Sequence, residues 1–473
     1  MFLDLKKAYD LVPHKRLIAK IKRAGYGPRL TKFIENMYKE TKCRVRVQNM
    51  YTEPFEYQRG VRQGCPTSPD LFNLYINDML DDQAGITVPG LKDVIKGLHF
   101  ADDTVIFGET KEDIEQSLVK IKEWCEKNCM EINVSKCGLM KFRRVTEENP
   151  EAIKVLYGQE EVPETKHYEY LGVKITESLS YDSMAKHREA NGNRIVGMCK
   201  HVLLNDKIAL KYKSMIVKNI IVPTITYGGE IFGCNETRVK KLKAVLDSAV
   251  ACIVKKSNFV RSRVHEEMRV KTIGMIMATA RSRAINKWRE SNKWIGDLIR
   301  NPITKKVKGV PLTWLSAGLR WIARTKVKVD EDPREFREKI TEYYYKRNKE
   351  KEKADICNLA NENNFMANNL MKQKRAYKEI KHEDMHQVFR FKCGAITWTP
   401  ELKTRGTLHI ESNCLGCNKG YENPLHFLFF CEEYADIREK TIGTNRRLQE
   451  MMEVPNKFIS LAKYITDALK RRR

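Results

Sequence analysis

The stretch Leu98-His-Phe-Ala-Asp-Asp-Thr-Val-Ile-Phe107 places two adjacent aspartates between two short apolar runs. Such runs on either side of a polar pair predict a tight β-hairpin with Asp102 and Asp103 at its tip. Another carboxylate, Asp4, lies inside the apolar run Phe2-Leu-Asp-Leu5, which predicts a short buried strand. Because carboxylates in apolar surroundings are costly unless cations compensate them, the three aspartates are candidate metal ligands.

These carboxylates allow two interpretations. Asp-Asp is also an ordinary polar turn dipeptide, with water around both side chains. Alternatively, two divalent metals roughly 3.5–4 Å apart would offset the charges, activate a 3′-hydroxyl and steady a leaving pyrophosphate. Mg²⁺ is the ion that prefers oxygen ligands of this kind.

Composition narrows the class of protein. The chain has 473 residues with 87 Lys and Arg against 61 Asp and Glu, a formal charge of +26. This excess favours a polyanionic partner, nucleic acid rather than a membrane. No apolar run approaches the roughly 20 residues of a membrane span. The 13 cysteines are odd in number and scattered, which indicates reduced thiols in an intracellular compartment rather than a disulfide framework.

Periodicity predicts the order of the elements. Alternation over Cys43–Gln48 predicts a strand, and Ser68-Pro69 is expected to cap a helix. Thr110 and Asp113 stand at capping-box spacing before another helix. From about Asp182 onward the pattern becomes mostly helical. The basic run at 346–353 is compatible with a solvated helix face or with RNA contact.

Several motifs occur in a fixed order: Phe2-Leu-Asp-Leu-Lys-Lys-Ala-Tyr-Asp10, Arg59-Gly-Val-Arg-Gln-Gly-Cys-Pro-Thr-Ser-Pro69, Phe100-Ala-Asp-Asp103, Asn133-Val-Ser-Lys136 and Tyr170-Leu-Gly172. Together they resemble the palm of reverse transcriptases from non-LTR (LINE-type) retrotransposons. The phrase Pro223-Thr-Ile-Thr-Tyr-Gly228 is similar to the thumb region of the same family.

The resemblance implies roles for four charged residues. Asp4 and Asp102 match direct ligands of two catalytic Mg²⁺ ions, and Asp103 matches a neighbour that preserves the local charge. Lys136 matches a lysine that protonates pyrophosphate. An ordinary surface lysine is the alternative for Lys136.

The resemblance also implies a nucleotide site and a primer grip. Tyr9 matches the aromatic gate that excludes a 2′-hydroxyl, although an ordinary core aromatic is the alternative. Gln63 and Gly64 match a turn that contacts the incoming nucleotide and the template, where glycine permits close backbone approach. Tyr170, Leu171 and Gly172 match the primer grip.

The implied fold is α+β: an antiparallel palm sheet with helices, then a mostly helical thumb and C-terminal region. We expect a palm at 1–178, a thumb at 179–300, a basic helical connector at 301–404, a zinc knuckle at 405–440 and a basic tail at 441–473. Family members carry fingers and an endonuclease ahead of the first motif. The chain is therefore expected to be the C-terminal portion of a longer retrotransposon protein.

A cysteine cluster near the C-terminus forms a further candidate site. Cys414-x₂-Cys417-x₈-His426-x₄-Cys431 offers three thiols and one imidazole, the donor set of a structural Zn²⁺ site. Chance spacing in a cysteine-rich chain is the alternative. The cluster also resembles the zinc knuckle of LINE proteins, which implies RNA binding. The segment is too short to bury a core of its own, so its folding is expected to depend on the metal.

The leading hypothesis is an RNA-directed DNA polymerase that extends a DNA 3′-end on an RNA template with deoxynucleoside triphosphates. The alternative is an inactive remnant that binds RNA through its basic surface and knuckle. A group II intron-type maturase shares the Ala-Asp-Asp motif but would lack the Tyr-Gly thumb phrase and this knuckle. The family implies a nuclear location. The charge and the lack of a long apolar run predict no membrane partner, and the oligomeric state is left open.

Overall fold

The computed structural model describes residues 1–142, 153–233, 235–256, 259, 261–301, 306–307, 310–311, 313–323, 338–339, 342–343, 346, 380–396, 413–414, 416–420, 422–444, 450–451 and 454–472. The chain divides into an N-terminal unit, Met1–Ser183 with Ser291–Ile303, and a C-terminal unit, Met184–Glu290 with Thr304–Arg473. The fold class is α+β, with small antiparallel sheets among helices.

Strands and helices alternate in the N-terminal unit. Its strands are β1 (Phe2–Asp4), β2 (Lys42–Cys43), β3 (Arg46–Val47), β4 (Met50–Tyr51), β5 (Phe55–Glu56), β6 (Gly97–Phe100), β7 (Asp103–Ile106), β8 (Leu156–Tyr157), β9 (Glu160–Glu161), β10 (His167–Tyr170) and β11 (Val173–Thr176). Its helices are α1 (Ala8–Leu11), α2 (His14–Arg23), α3 (Pro28–Tyr38), α4 (Ser68–Ile76) and α5 (Lys111–Asn128), with a later helix, Trp294–Arg300.

The central sheet of this unit has three antiparallel strands in the order β1-β7-β6. The predicted hairpin over Leu98–Phe107 is confirmed as β6 and β7, with Phe100 opposite Asp103. Gly97 lies where a side chain would not fit, because an added Cβ would come within 2.5 Å of the Val105 carbonyl oxygen. The sheet is therefore closely packed at the Gly97 end, which is the end away from the aspartates.

The two faces of the sheet have different neighbours, because successive side chains on a strand point to opposite sides. Leu3 and Ile106 lie on the face that packs into the main core with Leu17, Phe72 and Ile121. The opposite face contributes a smaller buried group of Phe2, Val105 and Met140. Asp4 and Asp103 share this second face, because Asp4 is two residues after Phe2 and Asp103 is two residues before Val105.

Two local predictions were wrong. Cys43–Gln48 is not one strand but the edge of a ribbon interrupted between β2 and β3, because its partner strand carries one extra residue around Pro54. Ser68 does not cap α4. Its hydroxyl donates to the Arg62 carbonyl at 2.7 Å, and Thr67 takes the position before the helix. The capping box of Thr110 and Asp113 at the start of α5 is confirmed.

The C-terminal unit is mainly helical, as the periodicity predicted. Its helices are α6 (Tyr181–Leu204, whose first turn belongs to the other unit), α7 (Leu210–Ile216), α8 (Val222–Thr226), α9 (Gly229–Phe232), α10 (Glu236–Val254), α11 (Arg261–Met268), α12 (Ile273–Arg289), α13 (Trp314–Ala323), α14 (His382–Lys392), α15 (Ala435–Thr441) and α16 (Pro455–Arg471). A short hairpin joins Lys306–Val307 to Val310–Pro311.

The range expected to be a basic tail contains a packed helix instead. Phe458, Leu461, Tyr464 and Ile465 of α16 are buried, because the helix has a continuous apolar face that the basic ends of the sequence concealed. In the expected connector, most of the basic run at 346–353 lies outside the described residues. Lys346 is described and pairs with Glu342 at 2.7 Å. None of the helices in the described part of the chain has the length and apolarity to cross a membrane.

Candidate active site and metal centre

The strand register brings together the three aspartates that the sequence singled out. Asp4 stands directly opposite Asp103 in the β1–β7 pair. Cross-strand neighbours of this kind have Cβ atoms about 4.5–5.5 Å apart. Asp102 precedes β7 in the hairpin turn, next to Ala101, whose φ is 53°. All three side chains are partly exposed, so their oxygens are accessible from outside the sheet.

The charges of the three carboxylates act on one another. Burial raises the pKa of Asp103, and the neighbouring charges of Asp102 and Asp4 raise it further. This is the expected effect of like charges gathered at one place. Oxygen donors grouped in this way are suited to a hard divalent cation.

Lys136 is brought to the same place by pairing along the free edge of β1. The Asn133 amide donates to the Asp4 carbonyl at 2.8 Å, and Phe2 and Gly138 exchange backbone hydrogen bonds at 2.8 and 3.0 Å. The Lys136 Nζ consequently lies 4.0 Å from Asp4 Oδ2. It is the one cation described within ion-pair distance of these aspartates, and its side chain is 68% exposed, so it is free to move.

Of the predicted nucleotide residues, Tyr9 lies near the carboxylates. The Tyr9 ring stacks on Phe72 with centroids 4.5 Å apart. Burial raises the pKa of Tyr9, and the Asp102 charge adds to the shift. Gln63 Nε2 donates to Asp10 Oδ1 at 3.0 Å. Gly64 has a φ of +82° and open space where a side chain would be, so backbone conformation rather than crowding favours glycine there.

The Tyr170-Leu-Gly172 motif forms the turn of the β10–β11 hairpin. Leu171 and Gly172 have φ values of 49° and 70°, as in a turn with two left-handed residues. Tyr170 lies against Phe2 with ring centroids 5.7 Å apart. The hairpin is thus attached to the face of the sheet that carries Asp4.

The sequence motifs did not single out Tyr168, which makes the closest contact of this hairpin with the sheet. Its ring stacks on Phe2 with centroids 4.1 Å apart and planes 7° apart. Its hydroxyl donates to the Lys136 carbonyl at 3.1 Å. The alternation of side chains along β10 could have indicated Tyr168, because residues two apart on a strand lie on the same face and Tyr170 was already singled out. His99 lies in β6, and its Nδ1 is within hydrogen-bond distance of Thr104 Oγ1, at 2.8 Å.

The four predicted metal ligands of the C-terminal unit also come together. Cys414 Sγ and Cys431 Sγ are 3.7 Å apart, and Cys417 Sγ lies 3.3 Å from His426 Nε2. All four ligand atoms lie within 4.8 Å of one another, so the cluster can hold a metal ion. Burial lowers the pKa of His426, which keeps its imidazole neutral and able to act as a ligand.

The cysteine-bearing stretch has buried aromatic contacts, one of them with a residue outside the expected knuckle. Phe427 packs on Tyr434 and Tyr464, with ring centroids 5.2 and 5.8 Å apart. Arg438 donates to the carbonyls of Leu428 and Cys431 at 2.9 and 2.7 Å. The apolar face of α16 supplies the buried surface that the cysteine-bearing stretch lacks.

Comparisons with known proteins agree with the geometry of the N-terminal unit. Residues 1–175 match the family model described as "Reverse transcriptase (RNA-dependent DNA polymerase)". The chain is 23% identical over 282 residues to the RNA-directed DNA polymerase from mobile element jockey of Drosophila melanogaster, which covers 58% of this chain and 30% of that protein. It is 30% identical over 183 residues to a Pol polyprotein from retrotransposable element R2 of Nasonia vitripennis, covering 36% of this chain and 18% of that protein.

A third relative is the probable RNA-directed DNA polymerase from transposon X-element of Drosophila melanogaster, 26% identical over 288 residues, or 58% of this chain and 30% of that protein. The chain therefore spans less than a third of the length of these curated relatives. Residues 1–175 are therefore similar to the reverse transcriptases, and the relatives of the chain include RNA-directed DNA polymerases from mobile elements.

Proposed function

We propose that the chain acts as an RNA-directed DNA polymerase, extending a DNA 3′-end on an RNA template with deoxynucleoside triphosphates. The observation that carries this proposal is the register that places Asp4 opposite Asp103, one residue from Asp102, within a domain of the reverse transcriptase family. Under this proposal residues 1–178 act as the palm and 179–300 as the thumb.

Asp4 and Asp102 are the proposed ligands of two Mg²⁺ ions, with Asp103 adding negative charge beside them. The pKa of Asp103 is raised first by burial and then by the charges of Asp102 and Asp4. The second cause supports the fit, because divalent cations relieve repulsion among carboxylates. When bound, such a pair supplies activation of the 3′-hydroxyl and charge neutralisation at the pyrophosphate.

The proposed roles of the neighbouring residues do not depend on the positions of the metal ions. Lys136 holds an ammonium near Asp4 and can donate a proton to the leaving pyrophosphate. Tyr9, supported by Phe72, presents a ring that would collide with a 2′-hydroxyl. Gln63 and Gly64 offer an amide and open backbone to the nucleotide and template, and the Tyr170–Gly172 turn is the proposed primer grip.

Primer extension by the full chain tests the proposal. With a DNA primer annealed to RNA, four deoxynucleoside triphosphates and Mg²⁺, we expect products that lengthen to the template end. Their sequence should follow the template, and chelation of Mg²⁺ should stop synthesis. A chain that binds the primed RNA but adds no nucleotide would contradict the polymerase proposal and favour the RNA-binding remnant.

We further propose that Cys414, Cys417, His426 and Cys431 hold one structural Zn²⁺ and that this region contacts RNA. A tetrahedral Zn²⁺ with Zn–S bonds of about 2.3 Å requires sulfur atoms about 3.8 Å apart. The Cys414–Cys431 separation of 3.7 Å fits this value. When bound, Zn²⁺ supplies the free energy that fixes the cysteine-bearing turns.

Metal analysis tests the zinc proposal. The purified wild type should carry about one zinc per chain. Cys431→Ser should lose it, whereas Cys199→Ser should keep it, because Cys199 lies on α6 outside the cluster. The loss should speed proteolysis at 413–440 while leaving the N-terminal unit intact. Equal zinc in the Cys431→Ser and wild-type proteins would contradict the assignment.

A further inference from the structure

Residues 58–63, here called the strap, run antiparallel to residues 9–14 in the N-terminal unit. The strap carries Gln63 at one end, and the opposed segment carries Tyr9. Three backbone hydrogen bonds join the two segments, from the amides of His14, Gly60 and Val61 to the carbonyls of Gln58, Val12 and Tyr9 at 3.1, 2.8 and 2.8 Å respectively. The proposed nucleotide residues Tyr9 and Gln63 therefore belong to one hydrogen-bonded strip.

The close approach of the strap depends on Gly60. Its φ is +99°, a conformation that residues with a side chain rarely adopt. A Cβ at this position would lie 3.2 Å from the Asp10 carbonyl oxygen, which is tighter than ordinary contact. The sequence Arg59-Gly-Val-Arg-Gln63 is thus shaped to lie directly on α1.

His14 fixes the strap from the buried side. Its Nε2 lies 2.9 Å from the Gly60 carbonyl oxygen. Because a carbonyl can only accept, Nε2 carries the proton and donates. The ring is 7% exposed and packs against Tyr38, with centroids 4.6 Å apart. Burial lowers the pKa of His14, so the imidazole remains neutral and in this tautomer at neutral pH.

Asp10 fixes the other end. Its Oδ1 accepts from Gln63 Nε2 at 3.0 Å, and Asp10 directly follows Tyr9 on the four-residue helix α1. Both side chains are exposed, so water competes with this bond in the open site. A bound nucleotide would exclude that water and strengthen the bond, since hydrogen bonds gain strength as the local dielectric falls.

We propose that Asp10 and His14 are positioning residues that hold Gln63 in a fixed relation to Tyr9 and thereby set how strictly the site selects its nucleotide. Neither residue touches the reacting atoms. Asp10 acts on the Gln63 amide, and His14 acts on the backbone that carries it. This inference rests on the proposed polymerase function, because Tyr9 and Gln63 are its proposed nucleotide contacts.

Steady-state primer extension with His14→Phe and His14→Gln tests the proposal. Phenylalanine keeps a ring but removes the donor, whereas the glutamine amide can donate from a similar position. We expect His14→Phe to raise KM for deoxynucleotides about 5–10-fold and to raise ribonucleotide use by a similar factor, the scale of one lost buried hydrogen bond. Synthesis by His14→Gln should stay near that of the wild type in both respects.

Tyr75→Phe is the matched control. The Tyr75 hydroxyl is a buried donor to a carbonyl in the same unit, that of Asn128 at 2.6 Å, and this bond involves neither the strap nor residues 9–14. Both Tyr75→Phe and His14→Phe should lower thermal stability. Only His14→Phe should change KM and sugar selection, because a purely structural loss reduces the folded fraction and not the affinity of folded molecules.

Asp10→Ala and Asp10→Asn provide a second test of the positioning proposal. Asparagine retains an acceptor for Gln63 and should select nucleotides like the wild type, whereas alanine should relax selection in the direction of His14→Phe. Unchanged KM and sugar discrimination in both His14→Phe and Asp10→Ala, with an active wild type, would overturn the positioning proposal alone. An inactive wild type would instead overturn the polymerase proposal and this inference with it.

Discussion

Asp103 lies opposite Asp4 and directly after Asp102, so three like charges share one end of a small sheet. Such an arrangement does not stabilise a fold. Burial raises the pKa of Asp103, and repulsion from Asp102 and Asp4 raises it further. The one nearby cation described, Lys136, is 4.0 Å from Asp4 and largely exposed. Repulsion of this kind among grouped carboxylates is characteristic of a site arranged for function rather than stability.

Asp103→Asn should therefore stabilise the metal-free protein. Removing one charge relieves repulsion, and a gain of about 2 °C in the melting temperature of the N-terminal unit is expected, since 1 kcal/mol shifts a domain of this size by roughly 2–4 °C. Millimolar Mg²⁺ should raise the melting temperature of the wild type more than that of the variant. Asp93→Asn, at an exposed loop position, is the control and should change neither value. A destabilised Asp103→Asn would contradict the charge argument.

At the scale of elements, the sequence predicted well where the signal was local. The hairpin over Leu98–Phe107 and the capping box at Thr110 follow from neighbouring residues, and both are present. The approach of Lys136 to Asp4 depends on pairing between segments more than 120 residues apart, which periodicity does not encode. Ser68 failed as a cap for a local reason, because the carbonyl of Arg62, six residues earlier, accepts from its hydroxyl.

The C-terminal unit contains a partly buried charge network, centred on Asp206, that no motif indicated. Asp206 accepts from Arg390 at 2.6 Å and from Lys255 at 2.7 Å. Burial alone would raise the pKa of Asp206, but these bonds hold it at about 2. Lys213, whose side chain is fully buried, lies 3.8 Å from Asp206, and its Nζ has no hydrogen-bond partner among the described residues.

This geometry predicts a pH dependence of stability. Burial lowers the pKa of Lys213 from 10.5 to about 8. Between these values the unfolded chain binds more protons than the native state, so the free energy of unfolding should increase as pH rises from 8 to 10.5. Lys213→Met should remove that increase and cost little at neutral pH, because Arg390 and Lys255 still satisfy Asp206. Denaturant unfolding between pH 7 and 10.5 measures both the pH-dependent increase and the cost of the substitution at neutral pH.

Lys392→Met is the contrasting variant on α14. Lys392 pairs with Glu267 at 2.6 Å, and both side chains are fully buried. Removing this cation leaves a buried carboxylate with one fewer partner, and a loss of about 3–5 kcal/mol is expected. An equal loss in the free energy of unfolding for Lys213→Met and Lys392→Met would contradict this account. It would show that Asp206 needs Lys213 in addition to Arg390 and Lys255.

The chain as a whole is strongly basic. With a net charge of +26, binding to RNA should release counterions, so affinity should fall steeply with salt. For single strands the slope of log affinity against log salt is about −0.7 for each phosphate contacted. Titrations between about 50 and 200 mM salt span the range in which this effect is large. A flat response, or a preference for anionic liposomes over RNA, would contradict a nucleic-acid partner.

Under the proposed function, polymerisation takes place at the carboxylates at the end of the β1–β7–β6 sheet. The most direct measurement is primer extension on primed RNA by the wild type, Asp102→Asn and Asp93→Asn, with RNA affinity measured in parallel. We predict that Asp102→Asn abolishes synthesis while binding RNA nearly as well as the wild type, because it removes a proposed metal ligand and leaves the basic surface intact. Asp93→Asn should extend normally. Continued extension by Asp102→Asn would contradict the assignment of this site.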